Sequence, residues 1–322
     1  DKRYLILERR AAIGGTWDLF RYPGIRSDSD MYTLSYSYKP WANRKSIADG
    51  ADIKRYIEEI AEDSGAIHNI RFQRRVVSAN WSSEHGRWDV VALLTDAEGN
   101  EQEEHYQARF LFSCSGYYSY DEGYRPAFPN EEAFKGQIIH PQFWPEDLDY
   151  TGKRVVVIGS GATAVTLVPS MTAKAAHVTM LQRTPSYVVT RPQRDGIAQT
   201  LQKWLPLQAA HSLTRWKNVF LTQFFYRIAR SRPEQFKERV LHMVKTQVGD
   251  VDMKHFTPDY KPWDQRVCAV PDGDLFRDVR AGRASVVTDT IDSFTENGIR
   301  LRGQLVGLQI DHTEFDFDTE GV

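Results

Sequence analysis

The stretch "RVVVIGSGATA", from Arg154 to Ala164, constrains the fold more than any other part of the chain. A β-branched run predicts a buried strand, and the spacing G-x-G-x-x-A follows it. The first glycine permits a tight turn, the second lets the backbone approach a pyrophosphate, and a small third residue lets helix and strand pack closely. The amides that open the next helix favour phosphate. The residues predicted to bind a dinucleotide are therefore Gly159, Ser160, Gly161, Ala162, Thr163 and Ala164.

The end of the next predicted strand indicates which dinucleotide binds. An NAD site places an acidic residue about 20 residues after the glycines, where it holds the ribose hydroxyls. Here "HVTMLQRTP" has Arg183 and Thr184 at that position. A planar guanidinium matches the oxygens of a 2′-phosphate, so we expect NADPH rather than NADH. The alternative is an arginine that is merely exposed at a strand end.

Length and composition limit the class of protein. A chain of 322 residues suggests two domains, and a net charge of -2 argues against a bulk nucleic-acid binder. Cys114 and Cys268 lie far apart without metal-ligand spacing, so we expect no metal site and two small buried side chains. With no apolar run of about 18 residues and no signal-peptide pattern, a cytoplasmic protein is expected.

The remaining patterns predict a mixed α/β chain. A buried strand is expected at Lys2–Leu7, and an amphipathic helix at Asp52–Glu62. Three strands, "RFQRRVVSANW", "RWDVVALL" and "ARFLFSCSG", predict an antiparallel meander. Residues 199–249 are predicted to be helical, with a break near Pro233.

The start of the chain leaves two interpretations open. Glu8 ends the first predicted strand and could bind the ribose of a second dinucleotide. The glycine fingerprint of that site would then lie about 20 residues upstream, before the first residue of this chain. Either Glu8 is an incidental surface acid, or this chain is part of a longer protein.

Two motifs resemble those of the flavin-dependent Baeyer–Villiger monooxygenases. The first is G-G-x-W-x-x-x-x-Y-P-G-x-x-x-D, from Gly14 to Asp28. The second is F-x-G-x-x-x-H-x-x-x-W-P, whose Trp-Pro ending sibling flavin monooxygenases usually lack. Its fixed positions are Phe134, Gly136, His140, Trp144 and Pro145. A third run, "KPWDQR", ends at Arg266, and the resemblance covers about residues 2–302.

The resemblance implies two doubly wound, Rossmann-like dinucleotide-binding domains with the meander and a helical insertion. Residues 1–140 would form a partial FAD-binding domain, and residues 141–302 an NADP-binding domain with its insertion at about 199–250. Residues 303–322 read as a divergent acidic tail in which we find no C-terminal return to the FAD domain.

Site residues are carried over position by position. Glu8 would hold the FAD adenosine ribose, and Val76 would contact the adenine. Arg266 matches the catalytic arginine, which Asp28 would orient beside the isoalloxazine and the nicotinamide. The other residues assigned to the cofactors are Gly14, Gly15, Thr16, Trp17, Asp18, Arg26 and Ser27.

The activity implied is an FAD- and NADPH-dependent monooxygenation. A C4a-peroxyflavin would insert one oxygen atom of O2 beside a ketone carbonyl, giving an ester or a lactone. Sulfides and thioamides are further substrates implied by the same chemistry. The alternatives are a heteroatom-oxygenating flavin-containing monooxygenase, against which the Trp-Pro ending and Arg266 speak, and an inactive NADP-binding fragment.

Two features have competing interpretations. His140 is expected to hydrogen-bond backbone and couple domain rotation, in preference to acting as a general base, and Trp144-Pro145 would fix the entry into the second domain. Within residues 212–232, Leu213, Trp216, Phe220, Phe224 and Ile228 lie near one helical face with basic neighbours. We favour a core or tunnel wall over a membrane-surface helix for this face.

Overall fold

A computed structural model describes residues 3–96, 98–116 and 118–303, and the backbone of residues 308–309 and 312–315. The chain divides into two compact units. The first unit consists of residues 1–19 and 51–122, and the second of residues 20–50 and 123–322. The predicted boundaries of the FAD and NADP domains remain a prediction.

The elements are numbered along the chain. The helices are α1 (Thr16–Leu19), α2 (Met31–Leu34), α3 (Gly50–Asp63), α4 (Ala162–Met171), α5 (Gly196–Trp204), α6 (Leu207–Ser231), α7 (Pro233–Val248) and α8 (Asp274–Arg280). Short 3-10 turns cover Ala66–Asn69, Glu131–Ala133, Pro141–Phe143 and Met253–Phe256. The strands are β1 (Ile6–Leu7), β2 (Ile70–Arg71), β3 (Arg74–Ser82), β4 (Arg87–Thr95), β5 (Glu101–Ala108), β6 (Gln137–Ile139), β7 (Arg154–Ile158), β8 (His177–Gln182), β9 (Tyr187–Arg191), β10 (Val267–Pro271), β11 (Ala284–Thr288), β12 (Ile291–Thr295), β13 (Gly298–Leu301), β14 (Leu308–Gln309) and β15 (His312–Phe315).

The first unit contains the predicted meander, with one strand displaced. Strands β3, β4 and β5 pair antiparallel in that order, and Trp81 stands opposite Trp88. The third strand is the charged segment Glu101–Ala108, so its prediction at residues 108–116 is wrong. Polar side chains suit β5 because much of it is exposed. Residues 109–116, with the apolar side chains Phe110, Leu111 and Phe112, are exposed and form no strand.

The other predictions for the first unit have mixed outcomes. Helix α3 is confirmed, and its apolar stripe buries Ile53, Tyr56 and Ile60. The buried strand at Lys2–Leu7 is wrong, because β1 has only two residues and its neighbours Tyr4 and Leu5 are exposed. Within the described residues β1 pairs with β2 alone, so one of its edges has no strand beside it.

The second unit is built on a five-stranded parallel sheet with the order β11-β8-β7-β15-β6. Strand β7 is fully buried at Val155, Val156 and Val157, as the β-branched run predicts. The acidic tail contributes β15, which lies between β6 and β7. Antiparallel strands β12, β13 and β14 form a small sheet next to the core, and β9 pairs with β10 in a separate parallel ribbon.

Helices α5, α6 and α7 fill the predicted helical region, and the break falls at Arg232, before Pro233. The expected core position of the apolar side of α6 is wrong, since Trp216, Phe220 and Phe224 are exposed. The alternative, that this side forms a tunnel wall, stays a prediction. Cys268 is buried as expected. Cys114 is exposed, because the segment around it, residues 109–116, forms no strand and is exposed throughout. Of the described helices, none has the length and apolarity needed to span a membrane.

Candidate functional site

The glycine loop follows β7 directly and opens helix α4. Gly159 has a φ of 138°, in the region that disfavours side chains, and Gly161 is the N-cap of α4. No side chain caps this end of α4, and Ala164 in its first turn is fully buried. The start of α4 therefore lies where the fingerprint predicts a phosphate, and phosphate binding there stays a prediction.

A chain of hydroxyl contacts joins this loop to the end of the next strand. The Ser160 hydroxyl donates to the backbone oxygen of Thr184 at 3.1 Å and lies 3.0 Å from the Ser186 hydroxyl. Arg183 and Thr184 follow β8 and are both exposed. In the described part of the chain Arg183 has no ion-pair or hydrogen-bond partner, so its guanidinium is available to an anionic group.

Arg266 reaches the same hydroxyls. Its Nε donates to Ser186 Oγ at 2.9 Å, and its Nη2 lies 3.3 Å from Ser160 Oγ. The cause is the register of the parallel ribbon, in which Val267 of β10 stands opposite Tyr187 of β9. The residues that precede these two strands, Arg266 and Ser186, are therefore neighbours.

Two tyrosines fix the segment that carries Arg266. The Tyr260 hydroxyl donates to the backbone oxygen of Arg266 at 3.1 Å, and the Tyr187 hydroxyl donates to the backbone oxygen of Tyr260 at 2.7 Å. Their rings meet edge to face at 5.2 Å. Burial raises the pKa of Tyr187 to about 12, so this hydroxyl stays protonated and remains a donor. Neither tyrosine belongs to any of the sequence motifs.

The Arg26–Asp28 segment lies in the second unit, and its contacts differ from residue to residue. Asp28 is exposed and forms no ion pair with Arg266, so its orienting role stays a prediction. The Ser27 hydroxyl accepts the amide of Ala48 at 3.0 Å. Arg26 is nearly buried and pairs with Asp274 at 2.5 Å. Asp274 was missed because 248 positions separate the two residues.

The Tyr-Pro-Gly turn packs directly onto the helix of the glycine loop. Gly24 has a φ of 76°, and a Cβ at this position would lie 1.8 Å from Ser170 Oγ, near the end of α4. Only glycine satisfies both the backbone angle and this contact. The first motif thus has a structural reason for one glycine that is independent of any cofactor.

The second motif surrounds a buried histidine. His140 Nδ1 accepts the amide of Gln142 at 3.2 Å and so caps the turn Pro141–Phe143. Burial lowers the pKa of His140, although a backbone hydrogen bond to Tyr124 acts in the opposite direction. A neutral ring with Nδ1 already bonded fits the predicted backbone role. Gly123, which the motif does not include, lies so close that a Cβ would be 2.2 Å from the ring.

The other fixed positions of that motif make packing and backbone contacts. Phe134 joins the core against Phe294, with ring centroids 5.8 Å apart. Trp144 is buried edge-to-face against Tyr150. The backbone oxygen of Pro145 accepts a hydrogen bond from the amide of Leu148 at 3.2 Å. A hinge function for the whole segment remains a prediction.

The predicted flavin residues of the first unit surround a short helix. Gly14 and Gly15 have φ values of 123° and 52°, which open α1. Asp18 is buried and held by Arg10 Nη2 at 2.6 Å and Lys54 Nζ at 2.7 Å. Burial alone would raise the pKa of Asp18, but the bonds from Lys54 and Arg10 outweigh it and lower the pKa. A carboxylate bound in this way stays charged and stabilises the loop.

Four further residues of the first unit are predicted to contact FAD. Three of them are at least partly exposed to solvent, and the fourth forms a hydrogen bond within its own loop. Thr16 and Trp17 are half-buried, and Val76 is exposed on β3. Glu8 accepts the amide of Arg10 at 2.8 Å through one carboxylate oxygen. Their cofactor roles stay predictions.

Comparison with known proteins decides the family. The chain matches the description "Flavin-binding monooxygenase-like" over residues 35–240, which is more than half of its length. It belongs to the flavin-binding monooxygenase-like family. "FAD-containing monooxygenase EthA" of Mycolicibacterium smegmatis is 52% identical over 303 residues, which is 93% of this chain and 61% of the relative. "Probable FAD-binding monooxygenase AlmA" of Acinetobacter sp is 50% identical over 304 residues, or 94% and 60% of the two chains.

Solved structures confirm the fold class of this flavin-binding monooxygenase-like chain. A steroid monooxygenase bound to NADP has a TM-score of 0.77 and 24% identity, covering 97% of this chain and 66% of its own. A cyclohexanone monooxygenase has a TM-score of 0.76 and 19% identity, with coverages of 97% and 67%. Our chain spans about 61% of the length of its EthA relatives.

A separate cleft of about 660 Å³ lies in the second unit of this family member, beside helices α5 and α6. Asp195 caps α5 and forms an ion pair with Lys217. Asp30 caps α2 and accepts a hydrogen bond from the Asn218 side-chain amide at 2.8 Å. Both carboxylates of the cleft are therefore engaged within the protein. None of the predicted site residues lines it, so it is distinct from the site around Arg266.

Proposed function

We propose that this chain supplies the NADPH-binding site, the catalytic arginine and part of the FAD-binding region of a Baeyer–Villiger monooxygenase. The substrate would be a small ketone, and O2 the second reactant. The observation that carries the proposal is the position of Arg266. Its guanidinium is held against the serine of the glycine loop, 106 residues away in the chain, where the dinucleotide is expected.

The second unit fits NADPH by the chemistry of its donors. The glycine loop leads directly into α4, whose start no side chain caps, and a loop with Gly159 and Gly161 suits the close approach of a pyrophosphate. Arg183 is exposed at the end of β8 with an unused guanidinium, which suits a 2′-phosphate. The glycine loop suits either dinucleotide, whereas Arg183 supports NADPH over NADH.

The first unit supports FAD binding less directly. Gly14 and Gly15 adopt backbone angles that only glycine holds easily, and the motif containing them is the one that resembles the flavin loop. The relatives EthA and AlmA are described by name as FAD-containing and FAD-binding. Asp18 is engaged by Arg10 and Lys54, so we expect it to position the loop without touching the cofactor.

Arg266 would act as a fixed positive charge. When bound, NADPH supplies the hydride, and FAD the activation of O2. The chain contributes a half-buried guanidinium whose direction is set by Ser186 and Ser160. Such a preorganised charge stabilises negative charge that develops on oxygen during transfer to a carbonyl. The hydrogen bonds from Tyr260 to Arg266 and from Tyr187 to Tyr260 would keep the backbone that carries Arg266 in place.

The proposal is tested on the complete natural polypeptide. We expect the purified protein to contain flavin, to consume O2 with NADPH, and to convert cyclic, linear or aryl ketones to esters or lactones. A sulfide is tested alongside. Absence of flavin together with absence of ketone-stimulated NADPH oxidation would refute the proposal. Oxidation of the sulfide with no ester from any ketone would favour heteroatom oxygenation instead.

A further inference from the structure

Helix α6 has its large apolar side chains on the outside. Leu213, Trp216, Phe220 and Phe224 follow one another at intervals of three and four residues, and are 54%, 59%, 66% and 57% exposed. This spacing places them along one side of the helix. We call this side the aromatic face.

The opposite side of α6, which packs against the second unit, is made of small and polar residues. Ala210, His211, Thr214 and Ala229 are at most 1% exposed. His211 Nε2 lies 2.8 Å from the Ser35 hydroxyl, and Arg215 donates to the backbone oxygen of Ser35 at 2.8 Å. The inner side is therefore held by hydrogen bonds to Ser35 and by its small buried residues. Burial of the aromatic face is not needed to hold the helix in place.

The turn before α6 exposes further apolar side chains. Trp204, the last residue of α5, is 82% exposed, and Leu205 and Leu207, which follow it in the chain, are exposed too. Large exposed apolar surface on a folded protein usually marks a contact with a partner or a membrane. Tryptophan and phenylalanine are also the side chains that favour the membrane interface.

The charge of this region indicates what the partner is. Helix α6 contains no Asp or Glu in 25 residues. Residues 196–248 contain nine Lys or Arg and two Glu, a formal charge of +7, whereas the whole chain has -2. Arg227 continues the aromatic face by three residues, is exposed, and has no ion-pair partner among the described residues. Lys217 and Arg230 of α6 are paired with Asp195 and Asp264, which lie outside this range. The aromatic face thus lies within a segment of positive formal charge in which Arg227 is, of the described residues, the unpaired cation nearest to the rings.

We propose that the aromatic face of α6, with Trp204, docks on an anionic lipid surface. The apolar rings would enter the interface while the flanking cations meet lipid phosphates. A second copy of the chain suits the face less well, because isologous pairing would bring two segments of +7 together. The helix lies on the membrane and does not cross it.

The test is flotation of the complete natural polypeptide with vesicles. We expect it to float with phosphatidylcholine vesicles that contain phosphatidylglycerol, to float far less with phosphatidylcholine alone, and to be released by salt. Trp216→Ser, Phe220→Ser and Phe224→Ser combined should weaken binding at least about tenfold. Since these side chains are exposed, the thermal unfolding midpoint should not fall.

The matched control changes exposed aromatic residues that lie outside a basic helix. Phe110→Ser with Phe112→Ser, in an exposed part of the first unit, should leave flotation unchanged. The proposal is overturned if the unaltered protein does not float, or if the triple variant floats equally well. It is also overturned if sedimentation shows that the triple variant dissociates an oligomer while vesicles bind neither form. A triple variant that neither floats nor folds stably would mean that the face is covered by other protein.

Discussion

Arg266 Nε and the Ser186 hydroxyl are joined by a 2.9 Å hydrogen bond, although 80 residues separate them. The bond exists because β9 and β10 pair in a register that sets the residues before the two strands side by side. Ser186 also lies 3.0 Å from Ser160 of the glycine loop. The direction of the proposed catalytic charge therefore depends on a serine that no motif contains.

Ser186→Ala should impair oxygen transfer without impairing NADPH binding. Loss of one charge-assisted hydrogen bond costs about 1.5–3 kcal/mol, so ketone turnover should fall by about ten- to a hundredfold. Flavin reduction by NADPH should stay near normal, and Ser186→Thr should restore part of the lost turnover. If the Michaelis constant for NADPH rises while turnover is unchanged, Ser186 supports the cofactor site and does not position Arg266.

Arg183→Ala should change the cofactor preference. The exposed guanidinium at the end of β8 is expected to bind the 2′-phosphate, which NADH lacks. We expect kcat/KM for NADPH to fall by about ten- to a hundredfold, while kcat/KM for NADH changes little. Arg277→Ala, the same change at an exposed arginine of α8, serves as the control. An equal fall for both cofactors would show that Arg183 does not recognise the phosphate.

Gly24→Ala should destabilise the second unit more than a similar change elsewhere. Its φ of 76° and the 1.8 Å approach of a Cβ to Ser170 Oγ act together. The left-handed backbone alone costs about 1–3 kcal/mol, and the clash adds to that. Gly65→Ala measures the backbone effect alone, since Gly65 has a φ of 69° and nothing within 4 Å. Urea unfolding that gives equal losses for both variants would contradict the predicted contact.

The motifs predicted the local features of the site and not its long-range contacts. The glycine loop, β7 and α3 follow from patterns within a few residues, and each is present. Asp274 and Ser186 could not be predicted, because their partners Arg26 and Arg266 are brought near by strand pairing and helix packing far along the chain.

Two errors have a common physical origin. Residues 108–116 were predicted to form the third meander strand, and the aromatic face of α6 to pack in a core or tunnel wall. Periodicity identifies which side of an element is apolar, but not whether that side faces the protein. Phe112 and Phe220 are both exposed in spite of their hydrophobicity.

Acidification should weaken folding through the buried histidines. Burial is the main cause that lowers the pKa of His211 from 6.5, and Arg215 acts in the same direction. His211 therefore binds a proton more readily in the unfolded chain than in the folded chain. As the pH drops through about 6.5, the free energy of unfolding falls. The pKa values of His140 and His255 are lowered too, so the effect is shared.

His211→Gln should make the loss of stability between about pH 7 and about pH 5 smaller, because glutamine can bond Ser35 without titrating. Urea unfolding at the two pH values measures the difference. His85→Gln, at an exposed turn, should leave that difference unchanged. A pH dependence that is the same in His211→Gln and in the unaltered protein would contradict this assignment.

The most direct test of the proposed function separates the two halves of the reaction in Arg266→Ala. Flavin reduction by NADPH is followed without oxygen, and ester formation from a ketone is followed with oxygen. We predict that reduction stays close to the rate of the unaltered protein, while ester formation falls by at least about a hundredfold, as when a preorganised donor to a developing oxyanion is removed. Ester formation that persists in Arg266→Ala, with Arg277→Ala as the control, would contradict the catalytic role of Arg266.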